Sequence, residues 1–521
     1  MAKRFILSLM AIALIIFNGG CFYAPKKGAV EGYILVDPAN SRSMLARGII
    51  DELPGMSPAA VAGAYVAAYT GGIGGAFAGG SYTNSSGYFM IAQLVPGTYG
   101  ITVTCSGFTQ LDISMVDVLS GVRISVNDNN MTIPRKRWNF LVYMDGDNNA
   151  ESYAIADLNE METVGSTADI NVIVILDRSP SYDTSNGNWS GTKIFYVTPD
   201  GGSDVINSTV MASYNELDMG DPQTLTDFIV YCQTRCPADY TCLTLWNHGS
   251  GTWGKAASRR AARGICFDDT DGTYLTADNV QTALYNARNT AGCSKINILN
   301  TNACVMQMLE MAYEWRAETD YLTGSENFVL ATGSDYEILL GHLAGNPAML
   351  PDGLAATIVN DFGTAQAGGN YTYSALKLNG TEFTNLFNAF GAFASSLNSI
   401  PLSNITEWDI IVDARNNAIY MYYDLENLPE FRDLYYFASY LSTSSTDVNV
   451  RSAAAALLGT IDAAVLARVQ GGTHLDTRGI AITLTNNITW PLYAADYPSF
   501  ESSTATLWDE FLDNLAVYTT P

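Results

Sequence analysis

Basic residues are scarce in this chain: 26 lysines and arginines stand against 52 aspartates and glutamates in 521 residues, a formal net charge of −26. With no cationic surplus to neutralise phosphates, nucleic acid is excluded as the expected partner, and an acidic surface suits calcium or cationic peptides instead. Histidine is scarcer still, with three residues, His248, His342 and His474. Chemistry that needs an imidazole near neutrality has only these to draw on. Beyond the N-terminus no run is long and apolar enough to cross a bilayer as a helix. Eight cysteines include Cys232 and Cys236 at helical spacing. No second His or Cys pair follows them, so no zinc site is expected and no metal ligand set is assigned.

What is present is apolar material: 48% of the residues are hydrophobic, enough for a large core and more than one domain. Two runs organise it, Thr241-Cys242-Leu243-Thr244-Leu245-Trp246-Asn247-His248-Gly249 and Lys295-Ile296-Asn297-Ile298-Leu299-Asn300-Thr301-Asn302-Ala303-Cys304. Their length and β-branched content predict strands of a parallel sheet, buried on both faces. Each then delivers a reactive side chain at its carboxyl end, where open α/β sheets hold their sites. A thiol needs a base to become a good nucleophile, and imidazole is the side chain that titrates nearest neutrality. Val305 to Trp315 is expected to be a helix, which would set Cys304 at a helix N-terminus whose dipole favours a thiolate. Gly249 lets the backbone behind His248 approach a substrate carbonyl and offer its N–H. The ordinary alternatives are a small buried hydrophobe for Cys304 and a turn residue for His248.

The flanking text makes the pattern specific. Trp138-Asn139-Phe140-Leu141-Val142-Tyr143-Met144-Asp145-Gly146-Asp147-Asn148-Asn149, then Asp157-Leu158-Asn159-Glu160-Met161-Glu162, Asn247-His248-Gly249-Ser250-Gly251, Gly264-Ile265-Cys266-Phe267-Asp268-Asp269-Thr270 and Ala303-Cys304 follow one another in this order. This arrangement resembles the clostripain family of the caspase-like clan of cysteine peptidases, over roughly 134 to 521. The resemblance implies a caspase-like α/β/α sandwich with a mostly parallel central sheet. It also implies an endopeptidase with a Cys304–His248 dyad, whose oxyanion is held by the N–H groups of Gly249 and Cys304.

The chain departs from the family two residues before the nucleophile. The family commonly carries Asp there, in the pocket that accepts Arg or Lys, and this chain has Asn302. An amide offers a dipole where a carboxylate offers a charge-assisted pair, so a basic preference should weaken. Glu326 and Asp335 are nearby in sequence and remain candidates for substrate binding. Four of the nine positions from Lys255 to Arg263 are basic. They read either as an exposed loop or, by analogy with the family's self-processing, as a cutting region with Arg259, Arg260 and Arg263 as candidate sites.

In chain order, basic Met1 to Arg4 and apolar Phe5 to Phe17 form a secretory signal. Asn18-Gly19-Gly20-Cys21 resembles a bacterial lipoprotein cleavage box, which would make Cys21 the lipidated first residue of an envelope-anchored protein; ordinary cleavage with Cys21 as a bystander is the alternative. Residues 28–133 alternate like a small all-β domain and are similar to carboxypeptidase regulatory-like modules, implying a prealbumin-like sandwich. Gly71 to Gly80 is expected to be a loop. Asp145 to Glu151 alternates oxygens, but an EF-hand wants Gly and Glu where Ala150 and Ala156 stand. A strand-to-helix turn is preferred, no cofactor is required, and calcium is left open. Peptides or proteins are the expected substrates. A binding or adhesion protein on a peptidase scaffold, and a transpeptidase, remain alternatives.

Overall fold

Apolar runs of the kind found at 241–246 and 296–302 become wholly buried strands. The computed structural model describes residues 28–36, 64–84, 88–104, 110–118, 123–131, 135–202, 204–252, 264–421, 431–472, 476–492 and 494–519. The signal segment with Cys21, the basic segment with Arg259, Arg260 and Arg263, and also Cys105 and His474, lie outside them. The chain divides into two units near residue 132.

The first unit holds seven strands: β1 (Gly28–Val36), β2 (Tyr65–Thr70), β3 (Phe77–Tyr82), β4 (Tyr88–Leu94), β5 (Gly97–Thr104), β6 (Leu111–Val118) and β7 (Arg123–Met131). They form two sheets, ordered β4-β1-β7 and β3-β2-β5-β6. Alternate residues from both, among them Val66, Phe89, Ile91, Ile101, Val103 and Val116, share one core. The expected loop at Gly71 to Gly80 is half strand. Its glycines let β3 lie flat, since a Cβ at Gly79 would come within 3.1 Å of Ile91.

The second unit is built on nine strands. They are β8 (Lys136–Gly146), β9 (Ile170–Arg178), β10 (Gly191–Tyr196), β11 (Thr209–Ser213), β12 (Ala238–Trp246), β15 (Ile296–Asn302), β16 (Thr319–Gly324), β17 (Tyr371–Lys377) and β19 (Val465–Gly471), in the order β11-β10-β9-β8-β12-β15-β16-β17-β19. The central five pair in parallel, and antiparallel strands extend each edge. Two short antiparallel pairs lie outside this sheet, β13 (Ile265–Asp268) with β14 (Thr273–Leu275) and β18 (Phe431–Asp433) with β20 (Ala481–Thr483).

Helices cover both faces, which is why the central strands carry apolar residues at consecutive positions rather than alternate ones. Phe140, Val142 and Met144 of β8 pack with Ala154, Leu158 and Met161 of α1 (Glu151–Val164), a helical stripe at i, i+4, i+7. Leu141 and Tyr143 face the other way, where the Tyr143 ring lies 6.0 Å from Phe228 of α2 (Pro222–Arg235). From β8 the chain adds β9 on one side and later returns to add β12 on the other. The order of strands therefore reverses beside β8, and a crevice opens beyond the carboxyl ends of β8 and β12.

Helical spacing at Phe383, Leu386, Phe387, Phe390 and Leu397, and at Phe431, Leu434, Tyr435 and Leu441, predicts core stripes, and most of these residues are core while Phe387 and Tyr435 are half-buried. Phe383, Leu386, Phe390 and Leu397 are buried in one helix (Thr381–Asn398), and Leu434 and Leu441 in another (Leu434–Ser444), although Phe431 belongs to β18. Among the described residues Cys232, Cys236, Cys242, Cys266, Cys293 and Cys304 are unbridged. No described helix is long and apolar enough to cross a membrane.

Candidate active site

The register of β12 on β15 pairs Trp246 with Asn302. His248 and Cys304, each two residues past its strand, therefore emerge at the same edge of the sheet and line one cleft of about 400 Å³. Backbone contact is close enough to demand glycine. A Cβ at Gly249 would stand 2.4 Å from the carbonyl oxygen of Cys304 and 3.0 Å from Ala303 Cβ. The bridge joining Gly249 to Ile265 is made by Ser250 N–H to Gly264 O at 2.9 Å, so the Gly249 N–H is left out of it.

Cys304 rests as a neutral thiol. Burial pushes it up to about 11, and the N–H of Val329, 3.3 Å from Sγ, offsets only part of this. The expected helix dipole behind it is absent. Residues 303–308 are irregular, Val305 takes φ +57°, and the helix begins only at Leu309 (α3, Leu309–Trp315). The reason is competition for backbone groups. Val305 N–H donates to Asn327 O (2.9 Å) and Gln307 N–H to Ser325 O (3.0 Å), which ties the segment to the chain after β16. A β-branched residue in the left-handed region is strained, and here it sits directly after the thiol.

His248 opens to solvent at the cleft mouth. The protein around it lowers its pKa below the usual 6.5, with Asp269 opposing that shift, so the ring is a neutral base near pH 7. Its Nε2 lies 2.8 Å from Asn149 Oδ1. An amide oxygen only accepts, so Nε2 carries the proton and Nδ1 keeps the lone pair. Asn149 belongs to the turn between β8 and α1, whose Asn148 Nδ2 donates to Phe267 O at 2.7 Å. The sequence reading found no third member of the dyad and took this segment as a turn. The turn is there, and it also delivers the group that orients the imidazole. The signal was the run of oxygen-bearing side chains at Asp145 to Asn149.

Among the described residues the cleft carries no carboxylate. Tyr153 and Trp246 form one wall, Val329, Leu330 and Ala331 another, and Asn302 lies between. The Asn302 amide is 4% exposed; its Nδ2 donates to Tyr336 Oη at 3.1 Å, while Oδ1 has no partner among the described residues. Gly333, at φ +55°, passes over it where a Cβ would come within 2.8 Å of that Nδ2. Trp246 is fixed from behind by Nε1 donating to the buried Asp157 at 2.6 Å, a contact the sequence did not reveal.

Glu326 and Asp335, expected in substrate binding, line no part of this cleft. Asp335 is the N-cap of the next helix (α4, Tyr336–Gly345) and accepts from Ile338 N–H at 2.9 Å, the ordinary use of an aspartate at that position. Glu326 is wholly buried, accepting from Thr372 Oγ1 (2.8 Å) and Gly479 N–H (3.1 Å). Burial first, and the Asp433 carboxylate second, raise its pKa well above the usual range, so it is a protonated core residue. His342 pairs with Asp361 at 2.9 Å on the surface, as expected of a structural histidine.

Comparison with known proteins agrees with this layout. A sequence model of the clostripain family matches residues 142–515. Clostripain of Hathewaya histolytica is 29% identical over 216 residues, which cover 38% of this chain and 40% of that protein, so the match spans less than half of the relative. An inactive zymogen C11 protease from Parabacteroides distasonis is 20% identical, with a TM-score of 0.52 over 72% of this chain and 99% of its own. A secreted C11 cysteine protease from Bacteroides thetaiotaomicron, solved with an irreversible peptide inhibitor, is 19% identical with the same TM-score and coverage. At these identities the two structures show a shared fold.

Proposed function

The chain belongs to the clostripain family of cysteine peptidases, and on that premise we propose that it is an exported endopeptidase that cleaves after neutral side chains. The observation that carries this reading is the meeting of His248 and Cys304 in one cleft, with Gly249 pressed against the nucleophile's backbone. Cys304 Sγ attacks the scissile carbonyl carbon as its proton passes to His248 Nδ1. Collapse of the tetrahedral species breaks the C–N bond, and the imidazolium returns that proton to the leaving amine. Water, deprotonated by the same ring, then hydrolyses the thioester. The N–H groups of Gly249 and Cys304 face the oxyanion, each such donor contributing about 3 kcal/mol to transition-state stabilisation.

A cleft floored by an amide and walled by aromatic and aliphatic groups supports a neutral residue before the scissile bond. A guanidinium there would lose its hydration without gaining a carboxylate. The N-terminal sequence supports export, with Cys21 as a lipid-anchored residue. Loop 255–264 contains both kinds of site, Arg259, Arg260 and Arg263 beside alanines and Ser258.

The test incubates the full chain beside its Cys304→Ala variant and maps fragments by intact mass, with a peptide library varied at the residue before the scissile bond. Cleavage by the parent alone, after neutral residues in loop and library, is expected. Cleavage after arginine would sink the neutral-cleft reading and keep the peptidase. Silence in both assays would sink the peptidase and leave a binding protein on a peptidase scaffold.

A further inference from the structure

The loop 303–308 that carries Cys304 is held from two sides. On one side lies the segment after β16, through the bonds of Val305 N–H to Asn327 O and Gln307 N–H to Ser325 O. On the other lies the segment leading into β20, where Ala481 N–H donates to Gln307 O at 3.0 Å. Gln307 Nε2 also donates to Ser374 Oγ (2.9 Å), which donates in turn to Gly479 O (2.6 Å).

Glu326 is the side chain that joins these two sides. It stands between Ser325 and Asn327, and its Oε2 accepts from Gly479 N–H (3.1 Å) and Thr372 Oγ1 (2.8 Å). The N–H one residue earlier, that of Arg478, goes to Asp433 Oδ2 at 2.6 Å, while Tyr436 N–H goes to Asp433 Oδ1 at 2.7 Å. Two successive N–H groups thus bring two carboxyls together, both of them wholly buried. Glu326 Oε1 has no donor among the described residues, and the Asp433 carboxyl lies within hydrogen-bond reach of Glu326.

We propose that Glu326 is a positioning residue for the nucleophile: one proton shared with Asp433 ties the segment after β16 to the segment before β20, and together these hold the loop of Cys304. This rests on the reading of Cys304 as the nucleophile of a peptidase. Two carboxylates in contact out of water repel, whereas a carboxyl and a carboxylate hydrogen-bond. Burial raises both groups, and the N–H groups of Arg478 and Tyr436 favour the charge on Asp433, so Glu326 keeps the proton.

Few other charges face the pair. Arg478 supports the ionised form of Asp433, with its guanidinium 4.8 Å from the centre of the Tyr435 ring, and Asp476 lies beside Tyr436. β17 presents Thr372, and the loop 303–308 contains no charged residue. Removing the shared proton sets like charges face to face, parts the two segments and loosens the loop, although Glu326 never touches substrate. Because Glu326 titrates above its ordinary range, the folded chain loses stability as pH rises from that range towards the folded value.

The test compares Glu326→Gln and Glu326→Ala with the parent in the full chain. Glutamine keeps a neutral group that donates to Asp433 and accepts from Gly479, and alanine keeps neither. Near neutrality the glutamine variant should stay within about 2-fold of the parent in kcat, and the alanine variant should fall about 10-fold, with KM unchanged in both. On alkalinisation the parent should lose kcat before the glutamine variant does. The proton itself is read from melting in a Cys304→Ala background, where the glutamine chain should gain on its parent by about 5 °C from about pH 5 to about pH 9. Alkylation of Cys304 by iodoacetamide reads the loop without turnover. It should be parental with glutamine and about 10-fold faster with alanine, because the loosened thiol regains water and its pKa falls. Parallel melting profiles, or a glutamine variant as slow as the alanine one, would overturn the shared proton. Parental kcat and alkylation in the alanine variant would overturn the positioning role. Turnover absent from every chain, with alkylation in the expected order, would sink the peptidase and uphold the hold of Glu326 on the thiol.

Discussion

Asp147 and Asn149, two residues apart in one turn, belong to two places opposite in character, an acidic group and the cleft. The cleft, where the family pattern led one to expect negative charge, is lined by amides, aromatic rings and a neutral imidazole. The group behind it, beside the turn whose alternating oxygens had left calcium open, gathers four carboxylates, those of Asp147, Asp177, Glu216 and Asp268, within 4.8 Å. The chain's excess of acid is therefore not spread evenly around its working parts. The cleft offers little electrostatic steering, while the acidic side chains gather beside the loop that carries Asn149, the partner of His248.

Putting charge into the cleft should change it most. Asn302→Asp should raise kcat/KM for Arg or Lys before the scissile bond relative to neutral residues by about 100-fold, the effect of a charge-assisted pair of roughly 3 kcal/mol. A library profile unchanged by this substitution would mean that Asn302 does not meet the side chain, and the neutral cleft would lose its explanation.

Cutting the loop's connection to the cleft should cost less. Asn149→Ala removes the hydrogen bond to His248 Nε2 and should lower kcat about 10-fold with KM unchanged, since the substrate is not its partner. Asn149→Asp should restore much of the rate. If KM rises instead, the residue touches substrate, and the separation between the loop's two ends disappears.

The smallest effect is one of pH. Burial lowers the His248 pKa below 6.5, so the neutral base persists on acidification until the pH passes below that value. The acid limb of kcat/KM should accordingly have its midpoint below 6.5. A midpoint above 7 would show that the nearby carboxylates, Asp269 first, outweigh desolvation and that the cleft is not electrostatically isolated from the acid around it.

The strands that frame the site were legible because burial on both faces leaves an unmistakable run of apolar residues. β12 and β15 both follow this rule, and their reactive residues lie where strand ends must lie in such a sheet. The turn at Asp145 to Asn149 was legible for the same reason, as the place where one periodicity gives way to another. The helix expected at Val305 was not, because its sequence suits a helix and only hydrogen bonds to Asn327 and Ser325 forbid the first turn. Glu326 and Asp335 show the same limit from another side. Proximity in sequence to a pocket says nothing about direction, and one carboxyl turned into the core while the other capped a helix.

The amino-acid sequence alone determined the parallel sheet and that His248 and Cys304 stand at the carboxyl ends of two of its strands, since each follows from periodicity and from residue types that few positions offer. Tertiary structure alone decided which amide orients the histidine, that the thiol rests neutral, and that Asp147, Asp177, Glu216 and Asp268 meet. Those three facts depend on where separate segments come together and on how much water is excluded there, and no local pattern encodes either.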